Sequence, residues 1–115
     1  MRAAFIGMLM FAAGPAFADD GADAFNTTCG GCHTVDAGSS PVAPSLKGVV
    51  GRKIASLPDF DYSDALKGKG GTWTDASLNA FLTDPKAFAP GTTMLVSVAD
   101  PAVRKEIIDY LNTVK

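Results

Sequence analysis

Residues 29–33 read Cys-Gly-Gly-Cys-His, and those five residues govern how the rest of the chain is understood. Two thiols three positions apart, followed at once by an imidazole, make the pattern in which each thiol adds across a haem vinyl group and the histidine ligates iron. Counting sharpens the pattern. Cys29 and Cys32 are the only cysteines of the 115 residues, and His33 is the only histidine. Of four methionines, Met1, Met8 and Met10 lie in the first ten residues, leaving Met94 alone in the remainder. One imidazole and one thioether suggest a haem held from both faces. Rival chemistries share the cysteine spacing. A thioredoxin-like pair calls for alternating strands and helices around the motif, which are missing. A zinc site wants a fourth ligand, and the chain has no second cluster to provide one. A plain disulfide stays open.

Upstream of the motif, Arg2, an apolar run over residues 5–11, the Gly14-Pro15 break and Ala16-Phe17-Ala18 have the layout of an export signal. Cleavage is expected after Ala18. A membrane anchor is the competing reading, but the run is short, interrupted by Gly-Pro and followed directly by Asp19-Asp20. The mature chain is then residues 19–115, one domain with no stable membrane span. It carries nine Lys/Arg against twelve Asp/Glu, a net charge of −3. Nucleic-acid binding wants a concentrated basic face, and none is present. A domain this small buries a modest share of its surface, so a cofactor at its centre would complete the core.

Helical signals lie mostly toward the two ends. Ala22, Phe25 and Cys29 place an amphipathic helix over residues 21–32. A long irregular stretch over residues 36–59 follows, punctuated by Gly38, Pro41, Pro44, Gly48, Gly51 and Pro58. Loops of that length are unusual unless they wrap something. Ser63 caps a short helix over 64–69, ended by Gly70-Gly71. Thr74 caps another over 75–82, with Leu78, Phe81 and Leu82 inward and Pro85 beyond its end. Asp100 caps the last helix, Pro101 opens it, and Val103, Ile107, Tyr110, Leu111 and Val114 form its apolar stripe. Strand-like alternation is weak, so the fold class is all-α with large loops.

Several separated motifs together resemble the class I c-type cytochromes, in particular the mitochondrial cytochrome c and bacterial cytochrome c2 group. Gly21 and Phe25 match the glycine and aromatic of the first helix, and Cys29, Cys32 and His33 match the haem site. Pro44-Ser45-Leu46 and Gly51-Arg52-Lys53 resemble the next two segments of that family. Tyr62 and Trp73 match its propionate-binding aromatics. Asp84-Pro85-Lys86 and Pro90-Gly91-Thr92-Thr93-Met94 resemble the loop that delivers a methionine ligand, and Ile107 and Tyr110 match the terminal helix.

The resemblance implies one haem c per chain, attached through Cys29 and Cys32, with His33 and Met94 as axial iron ligands and the Pro44 carbonyl holding the His33 ring. It places Arg52, Tyr62 and Trp73 in the propionate region and packs the N- and C-terminal helices together, with loops wrapping the haem. The function implied is periplasmic one-electron transfer by a monomer between a donor and an acceptor redox protein, with no catalysis. The alternative is a haem module that binds a small ligand or serves as a subunit of a dehydrogenase. Leu46, Leu78, Phe81, Leu82, Phe88 and Val96 are candidates for the dry haem lining. Departures from the family are as informative. Phe81 and Leu66 replace hydrogen-bonding residues, which predicts a drier site with an altered potential. Ala87 and Thr93 replace lysines, which hinders exchange of Met94 for a lysine ligand at high pH. Lys86 remains, and the thinned basic ring predicts an apolar docking patch around Ala43, Ala87, Thr93 and Val96.

Overall fold

The pairing of Asp100 with Pro101 acts as its chemistry dictates. The computed structural model describes residues 16–115, and in it the Asp100 carboxylate accepts from the Ala102 N–H at 2.9 Å while Pro101 opens a helix. In chain order the helices among the described residues are α1 (Ala16–Thr28), α2 (Asp64–Lys67), α3 (Asp75–Thr83), α4 (Pro85–Phe88) and α5 (Pro101–Thr113). Extended pairing among these residues amounts to one isolated antiparallel bridge, Lys53 with Thr72. The export signal expected over residues 1–18 lies outside the described residues except for its last three positions, which begin α1.

The main packing contact is α1 against α5. Gly21 makes it possible, because a Cβ there would lie 2.6 Å from the Glu106 carbonyl oxygen and 2.8 Å from Tyr110 Cβ. One turn on, the Phe25 and Tyr110 rings meet at 5.5 Å between centroids. Phe25 and Ile107 are 2 % and 1 % exposed, so this crossing is almost fully closed to solvent. The inward face of α5 is Ile107, Ile108 and Leu111. Ile108 lies outside the expected stripe yet is buried, and α3 as well as α1 packs on α5, with Asn112 in the next turn donating to Asp75 at 2.9 Å.

The helices depart from expectation in several places: α1 starts at Ala16 and not residue 21, α3 runs on to Thr83, and three further departures have a local cause. The first helix stops at Thr28, not residue 32, because the Cys29 and Gly30 N–H groups both turn back to the Phe25 carbonyl, at 2.7 and 2.9 Å. The Cys32 and His33 N–H groups then close on the Cys29 carbonyl at 3.1 and 2.9 Å, so the motif is a tight turn. Helix α2 ends at Lys67, since the Lys69 N–H closes a last turn on Leu66 and Gly70 adopts φ +70°. Helix α4 was not anticipated. Asp84 caps it by accepting from the Ala87 N–H at 3.2 Å, with Pro85 in its first turn. The same Asp-Pro pairing that announced α5 was the available signal.

The irregular stretch stays ordered because its backbone groups find partners elsewhere. Leu46 N–H donates to Thr34 at 2.8 Å, Gly48 N–H to Val114 at 2.9 Å, and Gly51 N–H to Trp73 at 2.7 Å. After Met94 the chain is tied down again. Val98 N–H donates to Leu82 at 2.7 Å, and the Arg104 guanidinium donates to Val98, Ala99 and the Asn79 side chain at 2.8 to 3.0 Å.

Candidate functional site

A cavity of about 380 Å³ lies between the α1–α5 crossing, α3 and the loops. Its apolar walls include Phe25, Leu78, Phe81, Leu82, Ile107 and Leu111, so the core residues of the helices are also the cavity lining. The turn after α1 contributes Cys29, Cys32 and His33, and the loop after α4 contributes Thr93, Met94, Leu95 and Val96. Arg52, Tyr62 and Trp73 border the same space. All seven residues singled out from sequence therefore meet at one cavity, although they span 66 positions of the chain.

His33 is set by its backbone partner. Its Nδ1 lies 2.8 Å from the Pro44 carbonyl oxygen, which only accepts, so Nδ1 carries the proton and Nε2 keeps its lone pair. Burial pushes the ring's pKa down; the Pro44 bond offsets part of that shift, and the Arg52 charge adds to it. The result is a neutral imidazole, the form a metal needs. Cys29 is buried and its thiol is pushed up to about 11, by burial and then by Cys32. A redox-active Cys-x-x-Cys pair shows the opposite shift. Among the described residues, no group of three or more His, Cys, Asp or Glu side chains is placed to hold a metal ion. The thioredoxin-like and zinc readings of the motif therefore lose their support.

Arg52 is held by two carbonyls, donating to Ser45 at 2.9 Å and Lys47 at 3.1 Å. Its Nε is buried without a partner in the protein. Buried donors left unpaired are uncommon and costly, and Arg52 borders the cavity, so its unpaired donor suits an acidic group bound there. Tyr62 is buried; its oxygen accepts from the Leu57 N–H at 3.3 Å, leaving its own proton free to donate. Trp73 is fixed by Phe81 and Phe88, with ring centroids 5.3 and 5.6 Å away.

Two expectations need correction. Phe88 is not on the cavity wall; it stacks behind Trp73 with Lys69 over its ring at 4.3 Å, because α4 turns it to the far side. Ala43 is only 4 % exposed and takes no part in a surface patch, since both its N–H and its carbonyl are drawn in by Ser40. Its neighbour Val42 is 70 % exposed at the cavity mouth, with Leu95 at 63 % and Val96 at 48 %. Val42 and Leu95 were missed because an exposed apolar residue in a loop carries no periodicity to flag it. The remaining expected lining residues, Leu46, Leu78, Phe81, Leu82 and Val96, all border the cavity, as does Leu66.

The family model described as cytochrome c matches residues 18–115. The chain belongs to the cytochrome c family. Members carry one covalently attached haem c and act as single-haem electron carriers. The cavity suits that group on three counts: apolar walls, two cysteines and a neutral histidine at one border, and an unpaired buried Arg52 donor. Among cytochromes c it is similar to cytochrome c2 iso-2 of Magnetospirillum molischianum, 41 % identical over 77 % of this chain and 93 % of that protein. It is 45 % identical to the cytochrome c-type cyt cy of Rhodobacter capsulatus over 81 % of this chain, but spans only 47 % of that longer protein. The solved cytochrome cH from Methylobacterium extorquens superposes with a TM-score of 0.77 at 42 % identity, over 84 % of this chain and 97 % of that one. The all-α cytochrome c fold expected from sequence is thus the fold observed.

Proposed function

We propose that this cytochrome c is a periplasmic one-electron carrier in which Cys29 and Cys32 attach the haem and His33 and Met94 ligate its iron. The observation that carries the reading is convergence: the chain's only histidine, both cysteines and Met94 border one cavity. Haem c supplies a ferric/ferrous couple at a single iron. The protein's own groups do the rest. His33, neutral and held through Nδ1 by Pro44, presents Nε2. Met94 offers a soft thioether, which favours the ferrous state relative to a second imidazole. Arg52 Nε, Tyr62 and Trp73 are the donors for the propionate region. Phe81 and Leu66 bring no hydrogen-bonding groups to the wall, which keeps water out. With His33 and Met94 both holding the iron, a bound haem would offer no ligand site to a substrate, which supports a carrier with no catalysis of its own.

Residues 1–18 are read as the export signal, removed after Ala18, and no helix among the described residues is long and apolar enough to cross a membrane. The carrier works as a monomer between redox proteins that meet it at the mouth bordered by Val42, Leu95 and Val96. The visible spectrum of the periplasmic holoprotein tests the assignment. A six-coordinate, low-spin spectrum with a methionine–iron charge-transfer band is expected, with that band lost in Met94→Ala. Ready binding of carbon monoxide by the reduced wild-type protein would overturn it and favour a ligand-binding haem module.

A further inference from the structure

Pro44 and Ser45 share one planar peptide group, and both of its polar ends are engaged. The Pro44 carbonyl accepts from His33 Nδ1 at 2.8 Å, and the Ser45 N–H donates to Ser39 Oγ at 2.9 Å. The Ser39 hydroxyl donates in turn to Asp59 Oδ1 at 2.8 Å, while the Ser39 N–H donates to Asp59 Oδ2 at 2.9 Å. Every donor in the run points the same way, from imidazole to carboxylate. Hydrogen bonds aligned in this way polarise one another. Negative charge at the Asp59 end therefore raises electron density on the Pro44 oxygen and draws on the His33 proton. Asp59 is ionised at neutral pH, since the Ser39 N–H and then its hydroxyl hold the carboxyl below its ordinary range.

A metal-ligating histidine that gives its second N–H to a carboxylate becomes a more basic ligand. Here the carboxylate acts through a hydroxyl and a peptide. We propose that Ser39 and Asp59 are positioning residues that raise the basicity of His33 through the Pro44–Ser45 peptide and so hold the reduction potential down. A more electron-rich imidazole stabilises ferric over ferrous iron, which gives the sign. The inference rests on His33 being the iron ligand, as proposed above.

The test uses holoprotein, with reduction potential and exchange of the His33 Nδ1 proton by NMR as readouts. Ser39→Ala keeps the Asp59 charge but breaks the relay; it is expected to raise the potential and speed the exchange. Asp59→Asn is expected to do the same, and Ser39→Thr, which restores a hydroxyl, to return both to wild-type values. Asp61→Asn removes an equal charge from an exposed carboxylate outside the relay and is expected to leave both readouts in place. A Ser39→Ala protein with unchanged potential and exchange overturns the relay. So does an Asp61→Asn shift as large as that of Asp59→Asn, which would mean a through-space effect of charge alone. If wild-type holoprotein lacks histidine–iron ligation by its spectrum, the assignment of His33 itself fails, whatever the variants do.

Discussion

Asp59 lies at the surface, yet Ser39 gives its carboxylate two donors, 2.9 and 2.8 Å away. Its pKa falls below the usual 3.8, chiefly through the Ser39 N–H and then the hydroxyl. A depressed carboxylate contributes stability above the unfolded value, and that contribution is lost as pH falls through the folded value. Removing the hydroxyl leaves the N–H donor, so in Ser39→Ala the Asp59 pKa is expected to move part of the way back up. An NMR titration of the carboxyl checks this, and an unchanged value would show that the hydroxyl contributes nothing. Arg52 teaches a different lesson at the same scale. Gly51-Arg52-Lys53 led to the expectation of a propionate residue, but gave no sign that the guanidinium clamps the carbonyls of Ser45 and Lys47. A side chain's chemistry is legible from its type; which loop carbonyls it reaches depends on how the loop folds.

Among the elements, the α1–α5 crossing is the most exacting. Gly21 has no room for a methyl group, because the nearest atom is a backbone carbonyl oxygen that cannot swing away. Gly21→Ala is expected to destabilise the folded protein by about 1–3 kcal/mol through overpacking, read from denaturant unfolding of the holoprotein. A loss below about 0.5 kcal/mol would mean that α1 slides freely along α5. The starts of α2, α3 and α5 match the sequence reading, because a cap is a local event: Ser63, Thr74 and Asp100 each accept from an N–H two or three residues on. Helix ends were read less well. The end of α1 depends on the Cys29–His33 turn, whose N–H groups have several carbonyls within reach, and local propensity does not choose among them.

At the scale of the whole molecule, the cavity and the core are one structure, since Phe25, Ile107 and Leu111 belong to both. Its mouth exposes the apolar Val42, Leu95 and Val96, with Ala87 and Thr93 where lysines were expected and Lys86 remaining. Charged faces make association steeply salt-dependent, so electron self-exchange between oxidised and reduced copies is expected to change little with ionic strength. Leu95→Asp is expected to slow that exchange and make it salt-sensitive, as measured by NMR line broadening in mixtures; a steep dependence in the wild type would contradict the apolar mouth. The Cys-Gly-Gly-Cys-His motif, the inventory of one histidine and one methionine beyond residue 10, and the capped helices were determined by the sequence itself, because each rests on residue type and short spacing. Only the tertiary structure decided that Phe88 turns away from the cavity, that Ala43 is buried while Val42 is not, and that Asp59 connects to His33. Those outcomes join residues brought together by loops without a period, and the path of such loops follows from the partners their backbone groups find.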